Sequence, residues 1–265
     1  MPVTDGRYRV QSVERAVFVL GVLGDACPEG LTLSELSRAL GVSKSSAFAI
    51  LQTLLGYGFV ADSGAGLTRR YRLGLALARL GDLVVSQIEL RDVALPVLRE
   101  RAAATGLTAR VAVLDEPYVV VIGRVAAREN AVRFATNLFK RELMHCSAVG
   151  KAILSAIPEH EARGFLALAG MPQKTRHTLT EVDVLVRELA EVRTKGYAID
   201  DEEDAEGVCC IGAAIGLDDG CAGAISVTGL KVEIPAWRLH QLGETVCDHA
   251  GQIADLLAEP VALPA

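Results

Sequence analysis

Residues 32–46, Thr-Leu-Ser-Glu-Leu-Ser-Arg-Ala-Leu-Gly-Val-Ser-Lys-Ser-Ser, decide the fold of the N-terminal part of the chain. Thr32 and Glu35 have the spacing of a capping box, in which each side chain accepts a hydrogen bond from the other residue's backbone amide. A short helix is therefore expected to begin here. Gly41 suits the left-handed turn that ends a helix, and Ser43 can cap the next one. Two helices joined by so short a turn are typical of a helix-turn-helix.

The flanks of this segment extend it to a winged helix-turn-helix. Residues 13–23 carry apolar side chains at helical spacing, which indicates one more helix before the motif. Residues 59–61 and 69–73 have strand composition on either side of a glycine-containing turn, which indicates a hairpin after it. Such a domain places its third helix in the major groove of DNA. The alternative is a helical bundle with ordinary surface charge.

The third helix, expected from residue 43, has an apolar face and an opposite face suited to bases. Gln52 is the best reader on that face, because a Gln amide pairs bidentately with adenine. Lys44 and the arginines of the hairpin are expected to hold phosphates. The DNA-binding candidates are Lys44, Ser45, Ser46, Phe48, Gln52, Arg69, Arg70 and Arg72.

Composition excludes several classes of protein. Of the 265 residues, 51% are hydrophobic and 23% charged, which excludes a disordered chain. No apolar run approaches the ~18 residues of a membrane helix, so no membrane partner is expected. The net charge is −6, but the first 75 residues hold eight Lys and Arg against six Asp and Glu. This asymmetry favours a nucleic-acid module joined to an acidic one.

The remaining sequence predicts a linker and a second, mixed α/β domain. Residues 74–87 form an amphipathic stretch whose stripe of Leu77, Leu80, Val84 and Ile88 is expected to pair with a second chain. A helix is expected at 93–104, with Pro96 in its first turn. Further helices are expected at 147–156, 158–168, 181–195 and 239–257, and strands at 111–114, 118–125, 132–136, 197–201, 209–216 and 222–227.

The cysteines leave two rival functions open. None of the six forms a CxxC pair, and we expect reduced thiols in a cytoplasmic protein. An apolar stretch at 16–24 resembles a signal peptide, but acidic residues at both ends argue against export. Cys146 or Cys210 as a nucleophile would make the chain a thiol enzyme, with His145 or His177 as base. Cysteines and histidines as ligands would make it a metal sensor. No spacing supports either, and buried structural thiols are the simpler interpretation.

Two polar segments have a functional and a structural interpretation each. Residues 147–151, Ser-Ala-Val-Gly-Lys, form an incomplete phosphate loop, which disfavours ATP. The amides at the start of that helix still suit a small anion, and the alternative is a capped surface helix with a solvated Lys151. The acidic run 200–204 is either a solvated loop or a loop whose first carboxylate turns inward.

Several motifs in the same order resemble the IclR family of bacterial transcriptional regulators. In the N-terminal part they are residues 11–16, 33–36, 43–46 and 70–74. In the C-terminal part they are residues 145–152, 196–203, 207–211 and 225–229. This chain departs from the family at three positions. The family often has a polar residue at the position of Phe48 and a basic residue at the position of Ala49. It usually has Ser at the position of Thr228.

The resemblance implies an α+β protein with a winged helix-turn-helix over residues 1–74, a linker helix over 75–90 and a GAF-like α/β effector-binding domain over 91–265. It implies a repressor of a metabolic operon that binds operator DNA as a homodimer or homotetramer, without enzyme activity, cofactor or metal. By the same resemblance the effector pocket is lined by His145, Cys146, Ser147, Ala148, Val149, Gly150, Asp200, Cys210, Ser226 and Thr228.

These pocket candidates include no Arg or Lys. An anionic effector would therefore need the free amides of the helix that begins near Ser147. Asp200 would have to be protonated, or to bond a hydroxyl or amide of the ligand. We therefore expect a small hydroxy- or oxo-acid, or a compact aromatic acid.

Overall fold

The computed structural model describes residues 9–85, 89–126, 138–218 and 220–258. The chain divides into two compact units between residues 87 and 88. The strand expected at 132–136 and the whole of Ile88 lie outside the described residues. No helix in the described ranges is long and apolar enough to cross a bilayer.

The N-terminal unit contains four helices and a small antiparallel sheet among its described residues. These elements are α1 (Gln11–Asp25), β1 (Leu31–Thr32), α2 (Leu33–Leu40), α3 (Lys44–Gly56), β2 (Val60–Ser63), β3 (Arg70–Leu73) and α4 (Leu75–Val85). The sheet has the order β1-β3-β2. The winged helix-turn-helix is confirmed, and β1 is an addition that the sequence did not predict, because two residues are too few for a strand pattern.

The predicted caps form as the sequence specifies. The amide of Glu35 donates to Thr32 Oγ1 at 3.3 Å, and the amide of Thr32 donates to Glu35 Oε2 at 2.8 Å. Gly41 takes a φ of 63°, the left-handed conformation that glycine adopts without strain. Ser43 Oγ accepts from the amide of Ser46 at 3.2 Å. These bonds satisfy helix-end amides and fix the angle at which α3 leaves the turn.

The C-terminal unit is built around one antiparallel sheet of the order β6-β5-β4-β9-β8-β7. Its elements are α5 (Glu89–Thr105), β4 (Thr108–Asp115), β5 (Tyr118–Val125), β6 (Arg141–Glu142), α6 (Ala148–Ala156), α7 (Glu159–Ala169), α8 (Val182–Lys195), β7 (Ala198–Asp201), β8 (Val208–Leu217), β9 (Gly220–Leu230) and α9 (Ala236–Ala258). Helices α5 and α9 pack on one face of the sheet, and α6, α7 and α8 pack on the other. The expected α+β class is confirmed.

Strand alternation divides neighbouring residues between the two faces. Cys209 lies in the core under α5 and α9, whereas Cys210 points to the face that α6 covers. The prediction for Pro96 is wrong, because α5 begins at Glu89 and the proline lies inside it. Leu90 and Ala94 are buried in the core, and this burial extends the helix in the N-terminal direction beyond the predicted start.

Candidate functional site

The exposed face of α3 carries the residues that the sequence assigns to DNA. Lys44, Ser45, Ser46, Phe48 and Gln52 are all exposed, with Phe48 at 40%. The opposite face is anchored in the core of the unit by Ala47, Leu51 and Leu54. The helix therefore presents polar side chains and one phenyl ring to solvent on a firmly packed support.

The hairpin arginines differ in what they contact. Arg72 is exposed. Arg69 pairs with Asp62 and lies over the ring of Tyr71, 5.4 Å from its centroid. Arg70 Nη1 donates to the backbone oxygen of Gly30 at 2.8 Å. Arg69 and Arg70 therefore also hold the small sheet together, a role that the sequence did not predict.

A cavity of about 180 Å³ lies in the C-terminal unit, beside the start of α6. It is lined by Arg110, Glu142, Ser147, Ala148, Val149, Asp200, Asp204, Ala205, Val208, Cys210, Ser226 and Thr228. Seven of the ten predicted pocket residues are in this lining, and His145, Cys146 and Gly150 are not. The volume is below the ~300–1,000 Å³ of pockets for drug-sized molecules, so it suits a small metabolite.

Strand register explains why residues so far apart in sequence share one wall. Arg110 on β4 stands opposite Ser226 on β9. Thr228, two residues along β9, stands opposite Cys210 on β8, and Cys210 stands opposite Asp200 on β7. Opposed residues on neighbouring strands place their side chains on the same face. These five side chains therefore form two adjacent rows across the sheet.

The second wall is the N-terminus of α6. Ser147 Oγ accepts from the amide of Gly150 at 3.2 Å and donates to the carbonyl of Leu143 at 2.9 Å. The first amides of a helix have no acceptor within it, and Ala148 and Val149, the first two residues of α6, line the cavity. Gly212 permits this approach, because a Cβ there would lie 2.9 Å from the carbonyl carbon of Ala148.

Of the three predicted pocket residues outside the lining, His145 and Cys146 lie in the turn before α6, and Gly150 lies in its first turn. His145 is buried, with Nε2 3.2 Å from the carbonyl oxygen of Pro172, and burial lowers its pKa. Cys146 Sγ donates to Asp204 Oδ1 at 3.6 Å. A Cβ on Gly150 would lie 2.4 Å from Met144 Cα, so this position requires glycine. Their contacts are therefore with the protein rather than with the cavity.

The two candidate nucleophiles are poor ones. Burial raises the pKa of the Cys146 thiol far above its ordinary value, and it does the same for Cys210. Both sulfurs are therefore protonated at neutral pH, whereas the thiolate is the reactive form. Within the described ranges no group of three or more His, Cys, Asp or Glu side chains lies together as a metal site requires.

Arg110, a basic side chain in the cavity wall, forms a buried ion pair with Glu142. Arg110 Nη2 donates to both carboxylate oxygens of Glu142, at 2.7 and 2.6 Å. Neither residue was predicted from the sequence to line the cavity. No local pattern indicates that β4 and β6, about 30 residues apart in the chain, bring Arg110 and Glu142 together. The expectation of a cavity without a basic side chain is therefore wrong.

Asp200 is the carboxylate of the acidic run that turns inward. Its Oδ1 accepts from the amides of Glu203 and Asp204, at 2.9 and 3.2 Å. Burial raises the pKa of Asp200 to about 7, and those two hydrogen bonds offset the rise only in part. The residue therefore changes charge near neutral pH while lining the cavity.

Of the two interpretations of residues 147–151, the surface helix with a solvated lysine is wrong. Lys151 is fully buried, and its Nζ lies 2.7 Å from Glu188 Oε1 and 2.6 Å from Glu203 Oε1. Burial lowers the pKa of Lys151, but Glu203 and Glu188 outweigh burial and leave it raised. The lysine joins α6 to α8 and to the acidic loop instead of facing solvent.

Both units match known families. Residues 12–63 match the family described as IclR helix-turn-helix domain, and residues 82–255 match that described as Bacterial transcriptional regulator IclR C-terminal. The chain belongs to the IclR family. It is therefore a DNA-binding transcriptional regulator with an effector-binding C-terminal domain, and not an enzyme.

Two relatives and a solved structure match most of the chain. XynR of Escherichia coli K12, a transcriptional regulator, is 31% identical over 78% of this chain and 80% of its own length. The transcriptional repressor AllR of the same organism is 30% identical over 93% of this chain and 90% of its own length. The crystal structure of Thermotoga maritima IclR, 26% identical, superposes with a TM-score of 0.76 over 95% of this chain and all of that one.

Proposed function

We propose that this IclR-family regulator is a cytoplasmic repressor that binds its operator as a homodimer or homotetramer and responds to a small hydroxy- or oxo-acid, or a compact aromatic acid. The observation that carries the effector class is the small cavity lined by the first residues of α6, by the hydroxyl side chains of β9 and by Asp200, whose pKa is raised to about 7. The repressor sense follows the similarity to the repressor AllR.

The exposed face of α3 supports the assignment of operator contacts. Gln52 would read bases, and Phe48 would contact thymine methyl groups. Lys44 and Arg72 would hold phosphates. Arg69 and Arg70 would share their guanidinium groups between phosphates and the hydrogen bonds that hold the hairpin.

Features of the linker support self-association. In α4, Leu80 is 45% and Val84 is 59% exposed. Apolar side chains at helical spacing on an exposed helix are suited to pairing with a second copy. A two-fold dimer would place two α3 helices on a palindromic operator. We propose residues 1–74, 75–90 and 91–265 as the DNA-binding, linker and effector-binding segments.

The cavity would hold an acid by groups of two kinds. Amides at the start of α6 suit a carboxylate, because the helix dipole favours negative charge there. Ser226 and Thr228 face the same side of β9, and Ser226 would supply a hydroxyl donor, whereas the hydroxyl of Thr228 donates to Cys210 Sγ at 3.3 Å and would accept from the ligand. Asp200 accepts from a ligand hydroxyl when ionised and donates to a carbonyl when protonated.

The experiment is a thermal-shift screen of the full chain with lactate, pyruvate, 3-hydroxybutyrate and 4-hydroxybenzoate. A ligand that binds only the folded state raises its apparent stability. We expect at least one acid to raise the melting temperature and to change operator affinity. Calorimetry should then show that Ser226→Ala weakens binding by roughly 0.5–1.5 kcal/mol. An absence of binding by every acid, or unchanged affinity in Ser226→Ala, would contradict the assignment.

A further inference from the structure

Arg110 is a buried cation on the wall of the cavity with a donor left over. Its side chain is 7% exposed, and Nη2 is bonded to both oxygens of Glu142. Its Nε is also buried and makes no hydrogen bond within the described part of the chain. A buried charged donor without an acceptor is unfavourable, so a cation in this position gains from an anion on the cavity side of its guanidinium.

The position of Arg110 in the sheet gives the cavity two chemically different ends. Arg110 is on β4 and Asp200 is on β7, with β9 and β8 between them. Three strand spacings of ~4.8 Å separate the two backbones by about 14 Å. Because both side chains line the same cavity, one end offers a guanidinium and the other offers a carboxyl group that titrates near neutral pH.

We infer that the guanidinium of Arg110 binds the carboxylate of the effector, and that Glu142 is the internal carboxylate that competes with the effector for this cation. This inference rests on the proposed function of the cavity. The effector it specifies is a monocarboxylic acid with a hydroxyl or carbonyl group at its far end, where Asp200 bonds it. Ser226, directly opposite Arg110, lies beside the bound carboxylate.

The charges of the site explain why Glu142 lowers affinity instead of assisting binding. Arg110 carries one positive charge and Glu142 one negative charge, so an incoming carboxylate adds an unbalanced charge to a buried site. Glu142→Gln removes that excess, while its amide oxygen can still accept from Arg110 Nη2. The rival explanation is that the amides of α6 alone bind the acid, in which case neither residue affects the choice of ligand.

The test compares the acids of the panel whose hydroxyl lies away from the carboxylate with their own uncharged amides, namely 3-hydroxybutyrate with 3-hydroxybutyramide and 4-hydroxybenzoate with 4-hydroxybenzamide. Binding is measured by calorimetry on the full chain at pH 7. The variants are Glu142→Gln and the double variant Arg110→Gln with Glu142→Gln, which leaves no unpaired buried charge. Arg141→Gln is the matched control, because it breaks an exposed ion pair with Asp115 one residue away from Glu142.

We expect the wild type to prefer the acid over the amide, and Glu142→Gln to increase that preference by about tenfold. The double variant should lose about 10–100-fold of the preference, the equivalent of one hydrogen bond to a charged group. Arg141→Gln should leave it unchanged. Circular dichroism and the melting temperature confirm that each variant is folded.

The outcomes separate this inference from the proposed function. An acid that binds wild type and double variant with the same preference over its amide would overturn the role of Arg110, while the proposed function would stand. Unchanged preference in Glu142→Gln would overturn the competition. If no acid binds the wild type, the proposed function fails and this inference fails with it.

Discussion

Lys151 Nζ lies 2.6 Å from Glu203 Oε1, and this buried ion pair connects two walls of the proposed effector cavity. Lys151 belongs to α6, whose first residues form one wall. Glu203 belongs to the loop that begins at Asp200, and its amide donates to the carboxylate of Asp200. A ligand that contacts Asp200 and the start of α6 therefore acts on two segments that are already linked through a charge.

Lys151→Met should destabilise the protein strongly. The change leaves Glu203 buried without its partner, and breaking a buried ion pair in this way costs about 3–5 kcal/mol. The free energy of unfolding from urea titration measures the loss. Arg163→Met is the control, because Arg163 also bridges two carboxylates, Glu159 and Asp183, but on the surface. We expect little change there, and equal losses in the two variants would contradict the importance of burial.

Asp200→Asn should change the pH dependence of stability. The pKa of Asp200 is raised from about 3.8 to about 7, so the folded state holds a proton between these values that the unfolded state releases. Stability therefore falls as pH rises through that window, by at most about 1.4 kcal/mol per pH unit. Asparagine keeps an oxygen for the two amides and has no proton to lose.

The measurement for Asp200 is the free energy of unfolding of both proteins from pH 4.5 to 8.5. The stability of the variant relative to wild type should rise up to about pH 7 and then level off. Binding of an acid should also weaken in wild type above pH 7, because the ionised carboxylate repels it, and should stay constant in the variant. Parallel stability curves for the two proteins would refute the raised pKa.

The sequence predicted the features that depend on neighbouring residues. The capping box of Thr32 and Glu35, the turn at Gly41 and the cap at Ser43 are all local, because side chain and backbone partners lie within three residues. Alternation along β9 likewise placed Ser226 and Thr228 on one face. These inferences needed no knowledge of which strands pair.

The parts that sequence reasoning missed depend on contacts between distant segments. Arg110 reaches the cavity because β4 pairs with β9, and Glu142 meets it from an edge strand of only two residues. Lys151 finds Glu188 and Glu203 only after α6, α8 and the acidic loop have packed together. No spacing along the chain encodes these encounters, so a buried lysine and a solvated one have the same local pattern.

Lys44→Ala should weaken operator binding about equally for all DNA sequences. Lys44 is exposed at the start of α3, where a phosphate contact would not distinguish bases. The slope of log affinity against log salt concentration should become shallower by about 1. Fluorescence anisotropy at several salt concentrations measures both quantities. Lys195→Ala, the same charge change on the C-terminal unit, is the control, and an unaltered slope in Lys44→Ala would exclude the phosphate contact.

Leu80→Asp combined with Val84→Asp should disrupt the oligomer and weaken operator binding. Both side chains are about half exposed on α4, and burying two carboxylates in a contact between copies is unfavourable without partners. Light scattering should report a smaller mass. Operator affinity should fall because a protomer bound at one half-site no longer holds a second protomer near the other half-site. Ala78→Asp, on another side of the same helix, controls for added charge. An unchanged mass with intact operator affinity would show that this stripe does not join two chains.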